Sequence, residues 1–291
     1  MSRRDHRRAV APDELGTILS VWAHPDDETY LAGGLMAAAA DRGQRVVCIS
    51  ATAGEHGTDD PQTWPPDRLG RVRRVEAAAA MAVLGIQEHQ VLGLPDGALA
   101  ERYEQGLAMI ELLVDEVDPD TVVTFGPDGE TFHPDHIAVH RWVTAAWRRR
   151  DRSFRLLYAT ATTEHLGRFG DLYERWGVYM TDQRPSGVPA ESLAVHLHLE
   201  GAELDRKLAA LWAMPSQTGE LMASIDLATY AAHAAEEAFI DAAGSQGFEN
   251  RRRKAQASRV ASMSKVVAPT MPPIDSLNSL PGQEWPPPST M

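Results

Sequence analysis

The sequence predicts an α/β three-layer sandwich built around a mostly parallel sheet, and three observations carry that expectation. Short apolar runs alternate with helix-length stretches from residue 17 to residue 150, the runs are rich in β-branched residues, and polar turns separate them. The chain has 291 residues, 43% of them hydrophobic, which is enough to bury one large core.

An arginine-rich arm over residues 1–15 precedes the first strand at 17–23, a short apolar run with strand character. A helix over 27–40 ends at Asp41-Arg42-Gly43, and a β-branched run over 45–51 makes the second strand. Glycines and prolines mark residues 54–66 as a long loop, followed by an alanine-rich helix over 68–84. Then come a short run at 90–94, a helix over 103–117, a strand at 121–125 and a helix over 134–150. Residues 154–161 read as a strand, 163–190 as irregular, and 193–199 as a half-exposed strand with alternating histidines. Helices over 202–213 and 221–243 close a domain of residues 16–262. The tail over 263–291 is proline-rich and is expected to be disordered.

A formal net charge of −13 argues against a nucleic-acid partner, whose phosphates need the opposite field. No apolar run reaches membrane-spanning length, and no apolar segment follows the four arginines of residues 1–10. A cytoplasmic location is therefore expected; self-association into a homo-oligomer is neither required nor excluded. The lone cysteine, Cys48, sits inside a strand run and reads as a small buried hydrophobe.

In sheets of this kind ligands bind beyond the carboxyl ends of the strands, so the residues just after each strand matter most. After the first strand comes Ala23-His24-Pro25-Asp26-Asp27-Glu28, with one imidazole and three carboxylates. After the strand at 121–125 comes the segment 126–136, ending His133-Pro134-Asp135-His136. Carboxylates crowded into one turn repel each other unless a positive group, such as a metal ion, sits nearby. His24 and Asp27 flank a turn stiffened by Pro25, and Pro134 suits the first position of a helix, placing His133 at its cap and His136 in its first turn. Two imidazoles and one carboxylate leave a fourth position open, as in catalytic rather than structural zinc sites.

With these motifs the chain resembles the LmbE-like, or PIG-L, zinc N-deacetylases. The likeness runs in order through Ala23 to Glu28, Thr52-Ala53-Gly54-Glu55-His56-Gly57, Arg73 with Glu76, Leu84-Gly85, Leu94-Pro95-Asp96-Gly97 and His133 to His136. The resemblance implies a Rossmann-like fold and removal of an acetyl group from an N-acetylglucosamine-type sugar or glycoconjugate. It also implies that His24, Asp27 and His136 hold Zn2+, that Asp26 is the general base, and that a protonated His133 steadies the oxyanion with Asp135 behind it. Glu55, Arg73 and Asp96 stand where such enzymes contact the sugar. Iron or cobalt would suit the same ligands. His56 and His140 are weaker candidates for the metal, and His196 with His198 have no assigned role. In the stretch 207–217, Met214 occupies a place where the family leads one to expect a histidine.

Two other readings compete. One is an amidase that cleaves a thiol conjugate at a glucosaminyl amide. The other is a non-catalytic nucleotide-binding domain, against which the acids of the first strand-to-helix turn argue, because they repel phosphate.

Overall fold

The structure is a computed structural model and describes residues 12–244. The arm over 1–11 and the tail from 245, including the proline-rich stretch, lie outside the described residues. Leu15 is already buried, and a 3-10 turn at Pro12–Glu14 leads into the sheet.

Seven strands form one sheet in the order β3-β2-β1-β4-β5-β7-β6. β1 (Ile18–Trp22), β2 (Val46–Ser50) and β4 (Thr121–Phe125) are buried at every residue, as expected for strands covered on both faces. β3 (Glu88–Val91) begins two residues before its apolar run and is half exposed at the edge. β5 (Arg155–Thr160) extends the parallel set beside β4. A helix follows each of the first four strands. α1 (Asp27–Asp41) and α2 (Pro66–Leu84) connect β1 to β2 and β2 to β3, whereas α3 (Tyr103–Val117) and α4 (Pro134–Arg149) connect β3 to β4 and β4 to β5. Because the chain reverses its direction of travel across the sheet after β3, right-handed crossovers place these two pairs on opposite faces. Later in the chain α6 (Gly201–Trp212) packs against α1 and α2.

Two segments depart from the sequence reading. The stretch 163–190, read as irregular, contains α5 (Thr163–Trp176), whose Thr162 hydroxyl caps the His165 amide and whose end is the left-handed Gly177. The helix expected over 221–243 is instead α7 (Pro215–Ala223), α8 (Leu227–Ala234) and β7 (Glu236–Asp241). Alanine-rich composition favours helix locally, but residues 236–241 pair antiparallel with both β5 and β6 (Val195–His198), and that pairing overrides propensity.

A buried ion pair ties these layers together. Lys207 Nζ donates to Glu237 Oε1 and to the Tyr30 carbonyl, both at 2.7 Å, while the Gly34 and Leu35 amides donate to the Glu237 carboxylate at 2.7 and 2.8 Å. A Cβ at position 34 would lie 2.5 Å from the Leu199 side chain, which would have to shift. Among the described residues no helix is long and apolar enough to cross a membrane.

Candidate metal centre

The order of strands reverses between β1 and β4, which are direct neighbours, and a crevice at their carboxyl ends follows from that topology. Both motifs open into it. Asp26 sits at the turn into α1 with φ of 128°, a conformation strained for any residue but glycine. His133 caps α4, and Gly129 lets the intervening loop fold tightly: its φ is 65°, and a Cβ would come within 2.7 Å of the His136 Cβ.

His24 Nδ1 lies 3.2 Å from His136 Nε2 and 3.5 Å from Asp27 Oδ2, and His136 Nε2 lies 3.3 Å from Asp27 Oδ1. Two ligands about 2.0–2.1 Å from one tetrahedral zinc ion stand about 3.3 Å apart. The partners of the opposite ring nitrogens fix the tautomers. His136 Nδ1 donates to the Gly129 carbonyl at 2.9 Å, and His24 Nε2 faces Asp96 Oδ1 at 3.0 Å and Asp135 Oδ2 at 3.4 Å. Carbonyls and carboxylates only accept, so the nitrogens turned towards each other both present lone pairs. Two lone pairs and a carboxylate converging in a buried place fit a divalent cation. The side chain of His136 also stacks on Phe125, with ring centroids 4.2 Å apart, which holds its plane.

Electrostatics agree with that arrangement. Burial keeps His136 neutral, with its pKa lowered to about 4, as a ligand requires. Burial opposes charge on His24, but its hydrogen bonds to Asp135, Asp27 and Asp96 raise its pKa well above normal, so without a metal the ring holds a proton that a bound cation would displace. Burial also works against the Asp27 carboxylate, yet His136 and His24 hold its pKa near 2. For Asp26 burial dominates and lifts the pKa to about 6, against the pull of Arg73. Glu28 does not join the cluster. Its carboxylate accepts the Asp26 amide at 3.2 Å, and burial and the neighbouring acids raise its pKa to about 8, so it is neutral near pH 7.

Several sequence-level placements change. Asp135 was expected behind His133, but its carboxylate accepts the Gly97 and Leu99 amides at 2.8 and 3.0 Å and faces His24. His133 instead accepts the Asp135 amide on Nδ1 at 3.1 Å, which leaves its Nε2 as the protonated nitrogen. Its pKa is lowered, first by burial and then by His24, so it is a neutral donor rather than the imidazolium expected. Arg73, expected to touch sugar, is buried: its guanidinium donates to the Pro25 carbonyl and to the Gly54 carbonyl at 2.8 Å, and pairs with Asp26 at 3.4 Å. Asp96 holds His24 and accepts the His56 amide at 2.8 Å, and Glu55 accepts the Asp96 amide at 3.0 Å. All three are tied into the loops behind the motifs, and for the buried Arg73 the charge satisfies its hydrogen bonds within the protein. His56 bonds back to the Asp96 loop, and His140 Nδ1 faces the Phe125 carbonyl at 3.0 Å. Met214 is buried in the core, and its carbonyl caps α7.

Beside Asp27 and His136 opens a cavity of about 210 Å³ whose walls include Tyr30, Tyr173, Trp176, Tyr179 and His233. None of these was singled out in the sequence. A usable signal existed: His165, Phe169, Leu172 and Trp176 recur at helical spacing after the Thr162 cap.

Residues 19–147 match the PIG-L family, GlcNAc-PI de-N-acetylase. A 1D-myo-inositol 2-acetamido-2-deoxy-alpha-D-glucopyranoside deacetylase of Saccharomonospora viridis is 37% identical over 174 residues, which is 50% of this chain and 63% of that protein. The protein of the same name from Mycolicibacterium gilvum is 32% identical over 232 residues, 70% of this chain and 81% of its own length. The N,N'-diacetylchitobiose deacetylase of Pyrococcus horikoshii superposes with a TM-score of 0.53 at 20% identity, covering 79% of this chain and 84% of that one. The 4-carboxy-2-hydroxymuconate hydratase of Pseudomonas putida KT2440 also superposes, with a TM-score of 0.53 at 17% identity over 78% of this chain and 96% of its own, so likeness at this level speaks for the fold alone. Set beside the two histidine motifs and the sheet that brings them together, the sequence matches show that this chain belongs to the PIG-L family of de-N-acetylases.

Proposed function

We propose that the protein is a zinc-dependent hydrolase that removes the acetyl group from an N-acetylglucosamine-type amino sugar or its glycoconjugate, the class named for its relatives. The observation that carries this reading is the meeting of His24 Nδ1, His136 Nε2 and the Asp27 carboxylate at ligand separations, with the other face of each imidazole tied down. These three residues hold the ion. When bound, it supplies Lewis acidity, acidifying water and polarising a carbonyl oxygen.

The protein's own groups do the rest. Asp26 stands next to a ligand and, with a pKa near 6, exchanges a proton around neutral pH. It takes the proton of the attacking water and passes it to the leaving amine. His133 Nε2–H donates to the carbonyl oxygen as that oxygen gains negative charge, and as a neutral imidazole it needs no second proton to do so. Arg73, clamped between two loops, keeps the Asp26 carboxylate in place. The aromatic walls of the adjoining cavity suit the apolar face of a sugar ring, and Tyr173 and Tyr30 spend their hydroxyls on His165 and Tyr230 at 2.7 Å.

The test is acetate release by zinc-loaded protein from N-acetylglucosamine and its inositol glycoside, set against release of the free glucosaminyl amine from bulkier cysteinyl conjugates. Acetate should appear with the simple sugars, and Asp26→Asn should keep its zinc while turnover falls by about 10²–10⁴-fold. Absence of acetate from every acetamido sugar would reject the proposal, and cleavage confined to the conjugates would favour the amidase.

A further inference from the structure

Away from the site at β1 and β4, the histidines of β6 form a second cluster. β6 is the last strand of the sheet and pairs with β7 so that His198 lies opposite Glu236 and His196 opposite Ala238. Residues two apart share one face of a strand, so both imidazoles project to the same side, with ring centroids 4.4 Å apart. Directly opposed residues are close enough for the Glu236 side chain to reach them. One nitrogen of each histidine and one oxygen of Glu236 all lie within 4.8 Å of one another.

We propose that His196, His198 and Glu236 form a second binding site for a divalent transition metal of the zinc or nickel type. His196 Nε2 is buried without a hydrogen-bond partner, yet it stands 3.6 Å from Glu236 Oε1. That separation is too long for a hydrogen bond and close to what two ligands of one ion keep. The Glu236 carboxylate is oriented by the Thr162 hydroxyl, which donates to Oε1 at 2.6 Å, and His165 Nδ1 lies 3.7 Å from Oε2. Metal-ligating carboxylates are commonly steadied in this way by an outer hydrogen bond. Imidazole and carboxylate together select borderline ions over calcium or magnesium. His198 is exposed, which gives an ion a path in and leaves room for solvent to complete its coordination. An ion held here bridges β6 to β7 at the sheet edge and sits behind Glu236, which also lines the cavity beside His136.

The experiment counts zinc on the full-length, tag-free protein. Chelator-stripped protein is dialysed against micromolar zinc chloride and the bound metal is measured by elemental analysis. Wild type should bind two ions per chain, His196→Ala/His198→Ala one, and His136→Ala one. The single zinc retained by the double variant shows that it is folded. Glu236→Gln, which keeps the size of the side chain, should weaken the second ion at least tenfold. One ion on wild type, or two on the double variant, overturns the second site. If His136→Ala keeps both ions while the double variant loses one, this site stands and the catalytic metal assignment falls.

Discussion

Asp135 never reaches the proposed ion, yet it decides how one ligand presents itself. By accepting two backbone amides and facing His24 Nε2, its carboxylate helps fix the ring that offers Nδ1 to the centre. Asp135→Asn should weaken zinc about 10–100-fold, measured by competition with a chromogenic chelator. Unchanged affinity would mean that Asp96 alone orients the ring. Arg73 acts on the base instead. Its charge lowers the Asp26 pKa, so replacing it with a neutral group must raise that pKa. A base works only when deprotonated, and Arg73→Gln should therefore shift the acidic limb of the kcat/KM profile to higher pH. A limb that stays put would remove Arg73 from that role. At this scale the sequence was informative about which residue types gather, since His24, Asp26 and Asp27 share one short turn. It was silent about the protein partners of Asp96, Arg73 and Asp135, which come from other loops.

Among the elements, α1 carries the most. Its first turn supplies Asp27 and, at the Tyr30 carbonyl, is held by Lys207 of α6, while its third turn, at Gly34 and Leu35, is gripped by Glu237 of β7. Both members of the ion pair are fully buried, so removing one leaves an uncompensated charge. Lys207→Met should cost about 3–5 kcal/mol in urea unfolding, and adding Glu237→Gln should recover much of it. A loss no larger than that of an ordinary surface substitution would show that the pair is dispensable. Long-range pairing explains why β7 was unreadable in the sequence. Residues 236–241 sit after an alanine-rich stretch and look like its continuation, and only strands β5 and β6, distant in sequence, make them a strand. α5 was hidden differently: its spacing was helical, but its polar and glycine content diluted the pattern.

For the whole molecule, an acid held neutral in the interior contributes to the pH dependence of stability. Glu28 has its folded pKa raised from 4.5 to about 8 by burial and by Asp26 and Asp27. Between those values the folded protein keeps a proton that the unfolded chain releases, so stability is greatest below pH 4.5 for this group and falls as pH rises towards 8. Glu28→Gln should flatten that decline, by up to roughly 1.4 kcal/mol per pH unit, in denaturant titrations of chelator-treated protein. Parallel slopes for both proteins would show that Glu28 does not titrate in this window.

By itself the sequence determined the α/β layering, the positions of β1, β4, α1 and α4, and the two motifs that follow those strands, because alternation, capping and short-range spacing are local properties. Which carboxylate meets which imidazole, that β7 is a strand, and that aromatic side chains of α5 wall the cavity became clear from the fold. Those outcomes depend on register and burial between segments far apart in the chain, where the environment, and not the residue type, sets charge and conformation.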